Sequence, residues 1–313
     1  MKPINIIYIY GRGHIGSTLL DRLLGCDQRY QSLGEIMNLK QYAKKEAYLC
    51  SCGKNVLECD FWSKVLVQYS DLCKKEKIKN PYNLSVGSLK KKTLWLLTSD
   101  LKIKNNPEVD EYNKKNYLLF KTIKEVSGKE TIIDSSKNPI RLTYLANSER
   151  FNIKVIYLFR DGRGTLYSRK KAAKNNASVP YRGAAFETIR FVWHEKVLRT
   201  VLKKLDLDKK VGIRYETLAG KFPVSIRDLY DKLDIEYQEE VFEKEDSEQY
   251  FKKTINDIER THLIGGNRMR YRKIEGIKAS ESWRKGLSKK EMKLFRLFGG
   301  THQNTINCEV FKE

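Results

Sequence analysis

Strand-like apolar runs alternating with amphipathic helical segments predict an α/β fold, a three-layer P-loop-like domain whose central, mostly parallel sheet is flanked by helices. Two turns support that class. Gly11 and Gly16 bracket a glycine loop between the first apolar run and a helix, and Arg160 ends a later run at the start of a polar turn. Open α/β sheets bind ligands at the carboxyl ends of their strands, so both turns are expected at the site.

The first run, Ile4–Tyr10, reads as a buried strand. It is too short to span a membrane, and no small-residue cleavage site follows it. Leu19, Leu20, Leu23 and Leu24 then form one helical stripe, with Gly25 placed to end the helix as a left-handed cap. The lysine-rich stretch Lys74–Lys92, with Asn80-Pro81, reads as a variable insertion or exposed connection. A helix from Tyr112 to Val126 closes at Gly128, and Thr131–Asp134, Ile153–Phe159 and Val211–Arg214 read as further strands. Before the last strand, a long helix from about Arg182 to Leu205 is expected to turn Phe186, Ile189, Val192, Trp193, Val197 and Val201 toward the core. The 313 residues suit one domain, residues 1–313, with a mostly helical insertion over residues 41–128 and a C-terminal lid over residues 260–290.

Hydrophobic residues at 40% and aromatics at 11% supply a sizeable core and exclude disorder for the chain as a whole. The 61 basic and 39 acidic side chains give a net charge of +22, which draws anionic molecules into a cleft. The lysines are scattered over nearly every helix and no nucleic-acid-binding signature accompanies them, so no specific nucleic-acid partner is expected. Six cysteines are too few for a disulfide scaffold and fit a reducing compartment. With no membrane span in the sequence, a cytoplasmic location is expected.

The segment Arg12, Gly13, His14, Ile15, Gly16, Ser17, Thr18 keeps the glycine spacing of the G-x-x-x-x-G-K-[ST] phosphate loop, but Ser17 stands where the lysine belongs. Free N–H groups and the helix dipole still suit a phosphate. The cation that bridges β- and γ-phosphates is missing, which points to a nucleotide carrying something other than a triphosphate. Arg160, at a strand end, and Ser168, two helical turns on, together suit a terminal phosphate monoester. The competing reading is a surface Arg160–Asp161 pair with an ordinary helical serine.

With both segments present, the chain resembles the PAPS-dependent sulfotransferases, in their bacterial and tyrosylprotein-type branch. The resemblance extends through Ser32-Leu-Gly-Glu35, Asp134-Ser-Ser-Lys137-Asn-Pro139, Arg214-Tyr215-Glu216-Thr-Leu218, Gly265-Gly-Asn267-Arg-Met-Arg270 and Trp283-Arg284-Lys-Gly-Leu287, from Ile4 to about Leu287. It implies a sulfuryl donor, 3′-phosphoadenosine 5′-phosphosulfate (PAPS), with PAP as product, a hydroxyl- or amine-bearing acceptor, and no metal requirement. The glycine loop would hold the 5′-phosphosulfate, Arg160 and Ser168 the 3′-phosphate, and Tyr215 would join the nucleotide site. Glu35 would be the base that takes the acceptor's proton, and Lys137 the cation on the bridging oxygen, with Ser136 nearby. Arg268 and Arg270, after the Gly265-Gly266 turn, would close over the phosphates, with Lys278, Trp283 and Arg284 in the same lid.

One departure stands out. Relatives in this branch carry Arg-Ser-Gly where this chain has His14-Ile15-Gly16. His14 would then stabilise the moving sulfuryl group as imidazolium or as a neutral donor, or Arg12 would take that role. Because other branches use a histidine base, His194 and His262 compete with Glu35. Acceptor walls are expected from Gln41–Lys92 and Lys174–Arg190, without a pattern that selects the acceptor.

Cys50-Ser-Cys52 and Cys59, beside Phe61 and Trp62, read as reduced packed cysteines, with a disulfide or a structural zinc site completed by Cys26 or Cys73 as the alternatives. Two other functions compete with sulfuryl transfer: a P-loop small-molecule kinase using ATP and magnesium, and a non-catalytic nucleotide- or polyanion-binding protein.

Overall fold

The alternation of apolar residues along Ile4–Tyr10 is resolved into two buried faces. Ile4, Ile6, Tyr8 and Tyr10 pack into one hydrophobic cluster, and Ile7 and Ile9 into another on the opposite side. A strand with both faces buried belongs in the middle of a covered parallel sheet. In a computed structural model, which describes residues 2–43, 48–87, 89–175, 180–242, 255–257 and 261–309, that is its position. The described strands are β1 (Ile4–Tyr10), β2 (Tyr30–Ser32), β3 (Thr131–Asp134), β4 (Phe151–Phe159) and β5 (Lys209–Arg214). They form one parallel sheet in the order β2-β3-β1-β4-β5. All five carboxyl ends therefore share one edge, and the glycine loop, Glu35, Lys137, Arg160 and Tyr215 follow those ends.

One face is covered by α1 (Ser17–Leu24), whose leucines meet Ile133, Ile156 and Leu158. The other is covered by α2 (Asp60–Lys75), α3 (Pro107–Ser127), α4 (Pro139–Ala146) and α6 (Ala184–Lys204). Between β4 and α6 lies α5 (Gly162–Asn175), which starts directly after Arg160-Asp161. Among the described residues no helix is long and apolar enough to cross a membrane.

The end of β3 shows how the core positions chemistry. Asp134 and Arg141 are fully buried and paired, with Arg141 Nε 2.8 Å from Asp134 Oδ2. The other carboxylate oxygen of Asp134 accepts from the Ser136 N–H at 2.9 Å. Asn138 then caps α4 by accepting from the N–H groups of Ile140 and Arg141. Between those anchors Lys137 is held at φ 61, a left-handed conformation that costs a non-glycine residue and aims its side chain at the strand edge.

Several boundaries and faces differ from the sequence reading. The short edge strand β2 was not anticipated, because three residues carry too little pattern. Strands β4 and β5 start two residues earlier than expected, and α3 starts at Pro107, where Asn106 caps it through the Val109 N–H. Gly25 is right-handed, φ −68, rather than a left-handed cap. Its missing Cβ instead makes room for Ser32 Oγ, which would lie 2.7 Å from one. On α6, Phe186, Ile189 and Trp193 are exposed at 43%, 51% and 47%. The stripe one residue over, through Thr188, Phe191, Glu195, Leu198 and Leu202, faces inward instead, along with Val197 and Val201. Polar Thr188 and Glu195 inside that stripe disguised it.

Candidate active site

The glycine loop is set by close approaches that exclude a side chain. Gly11 has φ 145, and a Cβ there would lie 2.3 Å from the Leu158 carbonyl oxygen. Gly16 has φ 95, and its Cβ would lie 2.4 Å from the Tyr215 ring, so this tyrosine is seated against the loop where α1 begins. The Gly16 carbonyl accepts from the N–H groups of Leu19 and Leu20, which starts the helix and leaves its amino end at the sheet edge.

The loop borders a cavity of about 470 Å³. Gly13, His14, Gly16, Ser17 and Thr18 line it, with Arg160, Ser168 and Tyr215. Glu35 and Lys137 line it too, together with Tyr42, Tyr48, Gly266, Asn267 and Met269. Lys137 Nζ lies 2.8 Å from Glu35 Oε1 and donates to the Ser135 carbonyl at 2.8 Å. Asn38 Nδ2 approaches the other Glu35 oxygen at 3.4 Å. The backbone of Glu35 is fixed from the C-terminal part of the chain, where its N–H donates to the Ile264 carbonyl at 2.8 Å and the Ile264 N–H to Leu33 O at 3.0 Å. Gly34, φ 73, permits this approach, because a Cβ would lie 2.4 Å from Ile264 O. Asn267 N–H donates to Thr18 Oγ1 at 3.3 Å, joining the same segment to the glycine loop.

At the glycine loop, Ser168 Oγ and His14 Nδ1 are 3.1 Å apart. Burial lowers the His14 pKa to about 4, helped by the positive field of Arg169, Arg12, Arg160 and Lys137. That environment favours the neutral imidazole over the imidazolium. Arg160 stacks over Tyr215, 4.3 Å from the ring centroid, and donates to His14 O at 3.3 Å and Ser280 O at 3.4 Å. It fits along α5 because position 164 is glycine, where a Cβ would meet Arg160 Nε at 2.9 Å. That buried Nε has no hydrogen-bond partner.

Other residues expected at the site are placed elsewhere. Ile15 is buried in the core and offers the loop only its backbone. Arg12 is buried over Phe191 at 5.1 Å, its pKa lowered to about 10 by burial despite the attraction of Glu195. It lies outside the cavity lining, although its Nη1 is buried without a partner. Arg270 donates to the carbonyls of Leu49, Gly266 and Asn267 and thus holds the backbone of its segment. Arg268 and Lys278 are exposed, and Trp283 is buried between Arg163 and Arg284, all outside the lining. His194 is half-buried on α6 with its pKa lowered to about 4, chiefly by burial, and does not line the cavity. His262 points into the cysteine cluster, with Nδ1 3.3 Å from Cys59 Sγ.

The structure also adds residues the sequence did not single out. Tyr42 and Tyr48 pack edge to face at 4.9 Å and form an aromatic wall beside Glu35. Burial, followed by the charge of Glu35, raises the Tyr42 hydroxyl pKa to about 12. Asp21, beneath the site, is fully buried, accepts from Ser135 Oγ, and is raised to about 7 by burial. Of the expected acceptor segments, residues 44–47, 88 and 176–179 lie outside the described residues.

A family model described as "Sulfotransferase family" matches residues 7–239. Among solved structures, a sulfotransferase domain from the curacin biosynthetic pathway is 15% identical with a TM-score of 0.54, covering 96% of this chain and 99% of that one. A sulfotransferase domain from the Synechococcus PCC 7002 olefin synthase is 14% identical with a TM-score of 0.49, covering 95% of each chain. None of the curated proteins compared matches the chain. The first of these structures shares the fold built above, and the match over most of the sequence, from within β1 to beyond β5, places the chain in the sulfotransferase family.

Proposed function

We propose that this sulfotransferase uses PAPS as donor and transfers the sulfuryl group to a hydroxyl, or an amine, of a small-molecule or carbohydrate acceptor. The observation that carries the reading is the Glu35–Lys137 pair, 2.8 Å apart, lining the same cavity as Arg160 and Ser168. A base with an adjacent cation, and phosphate donors in the same cavity, fit a bisphosphate nucleotide with a reactive 5′ end. The partnerless buried Nε of Arg160 and the Ser168 hydroxyl are donors suited to its 3′-phosphate. The loop N–H groups and the α1 amino end suit its 5′ end. When bound, PAPS supplies an activated sulfuryl group on a bridging oxygen.

Glu35 takes the proton of the acceptor hydroxyl on a carboxylate oxygen. Lys137, already within reach of that carboxylate, orients it and neutralises the negative charge left on the nucleotide oxygen as the acceptor oxygen replaces it. His14 acts as a neutral hydrogen-bonding residue that positions Ser168. Tyr42, Tyr48 and Met269 give the acceptor a mainly apolar wall beside the base.

Release of PAP from PAPS, followed over a panel of carbohydrate, phenolic and secondary-metabolite alcohols, tests the reading. Turnover with at least one class, lost in Glu35→Gln, supports it. Turnover with magnesium and ATP in place of PAPS, or full activity of Glu35→Gln, overturns it.

A further inference from the structure

The cysteine segment is unused by this chemistry, yet its side chains converge. Cys50, Cys52, Cys59 and His262 bring their ligand atoms within 4.8 Å of one another. Cys52 and Cys59 sulfurs are 3.6 Å apart, those of Cys59 and Cys50 3.7 Å, and His262 Nδ1 lies 3.3 Å from Cys59 Sγ and 3.7 Å from Cys50 Sγ. Sulfurs at about 2.3 Å and a nitrogen at about 2.0 Å from a tetrahedral ion stand roughly 3.5–3.8 Å from one another. The four spacings from 3.3 to 3.7 Å lie within about 0.2 Å of that shell, all the ligand atoms fall within 4.8 Å, and the sulfur separations exceed the ~2.05 Å of a disulfide.

The backbone and rings around the cluster are held in place. A tight turn presents the first two sulfurs. Cys50 N–H donates to Lys54 O at 2.9 Å, Gly53 N–H donates to Cys50 O at 3.0 Å, and Gly53 has φ 85. Phe61 stacks on the His262 ring at 4.7 Å with planes 12° apart, and Trp62 Nε1 donates to His262 O at 2.7 Å, which fixes the ring's orientation.

We propose that Cys50, Cys52, Cys59 and His262 form a structural zinc site. Three sulfurs and one imidazole select zinc over harder cations, and four protein ligands leave no open position for catalysis. Cys26 and Cys73, the partners considered from the sequence, sit in the α1-side core and within α2, so the fourth ligand comes from the C-terminal part of the chain. His262 lies two residues before Ile264, whose carbonyl holds the Glu35 N–H, and four before Gly266 at the cavity. Ser51 and Leu263 reinforce the joint, with Ser51 N–H donating to Leu263 O at 3.0 Å and Leu263 N–H to Ser51 Oγ at 2.9 Å. The ion would thus staple the segment that fixes Glu35 to the amino end of α2.

Metal analysis of the untagged wild-type chain, purified under reducing conditions from zinc-supplemented culture, tests the site without reference to activity. One zinc per chain, released by an organomercurial, is expected. Cobalt reconstitution should give thiolate-to-cobalt charge transfer and the intense visible bands of a tetrahedral ion. Cys59→Ala should lose the metal, whereas His262→Cys should keep it and shift the cobalt bands toward a four-thiolate pattern. Substoichiometric zinc without a cobalt spectrum, another metal in its place, or a Cys52–Cys59 or Cys50–Cys59 disulfide in non-reduced peptides overturns the proposal. If Cys59→Ala fails to fold, the wild-type metal content and cobalt spectrum decide alone.

Discussion

Ser168 Oγ lies 3.1 Å from His14 Nδ1, so the helix residue proposed for the 3′-phosphate is tied directly to the loop proposed for the 5′ end. Burial and four neighbouring cations lower the His14 pKa to about 4. Between pH 5 and 8 the pH profile of kcat/KM, which reports the free enzyme, should have the same shape in wild type and His14→Gln. A limb near pH 6.5 present only in wild type would contradict this. Because the folded pKa is depressed, the stability of wild type relative to His14→Gln should fall as pH drops from about 6.5 to about 4, measured by denaturant unfolding at each pH.

Removing the Ser168 hydroxyl should act on nucleotide affinity rather than on the chemical step. Ser168→Ala is expected to weaken PAP binding by about tenfold or more, since a hydrogen bond to a charged group is lost, with kcat changed far less. Calorimetry and steady-state kinetics separate the two quantities.

The Glu35–Lys137 pair should behave in the opposite way. Glu35→Gln is expected to lower kcat by about 10²–10⁴-fold, and Lys137→Met by about 10²-fold or more, while PAP affinity stays within a few-fold of wild type. An equal loss of binding and turnover would make the pair part of the nucleotide site instead.

The contact between Gly34 and Ile264 couples the C-terminal segment to the base. Gly34→Ala adds a Cβ 2.4 Å from a backbone oxygen at φ 73, where the backbone itself resists a side chain. A loss of about 1–3 kcal/mol is expected, together with reduced kcat as Glu35 is displaced. Thermal unfolding and turnover rates report both.

Asp21 gives a pH signature of the opposite sign from His14. Its folded pKa, raised to about 7 by burial, means that the native state holds the proton. The stability of wild type relative to Asp21→Asn should be greatest below about pH 4 and decline as pH rises to about 7, by at most on the order of 4 kcal/mol. A flat difference across that window would place the carboxyl in a more solvated setting.

Much of this arrangement is legible in the sequence where the signal is local. Ile4–Tyr10 and Thr131–Asp134 coincide with β1 and β3, because β-branched and aromatic residues are bounded by turn residues on both sides. The glycine loop and the Arg160 turn follow from the same local logic. What escaped depends on distance. His262 meets cysteines more than 200 residues away in sequence, Arg270 finds carbonyls around Leu49 and Gly266, and Arg12 turns from the loop toward Phe191. No local pattern encodes those encounters. The inward face of α6 escaped for another reason, since its buried Glu195 makes the core stripe look polar while Trp193 makes the solvent stripe look apolar.

The central claim is that the cavity is made for a 3′,5′-bisphosphate nucleotide, and calorimetric titration of the wild-type chain with PAP, with 5′-AMP and with ATP plus magnesium tests it most directly. The arrangement of Arg160, Ser168 and the lysine-free loop predicts PAP as the tightest ligand by at least about tenfold over 5′-AMP, a margin that disappears in Ser168→Ala combined with Arg160→Ala. Equal affinity for PAP and 5′-AMP, or preferential binding of magnesium-ATP, would contradict it.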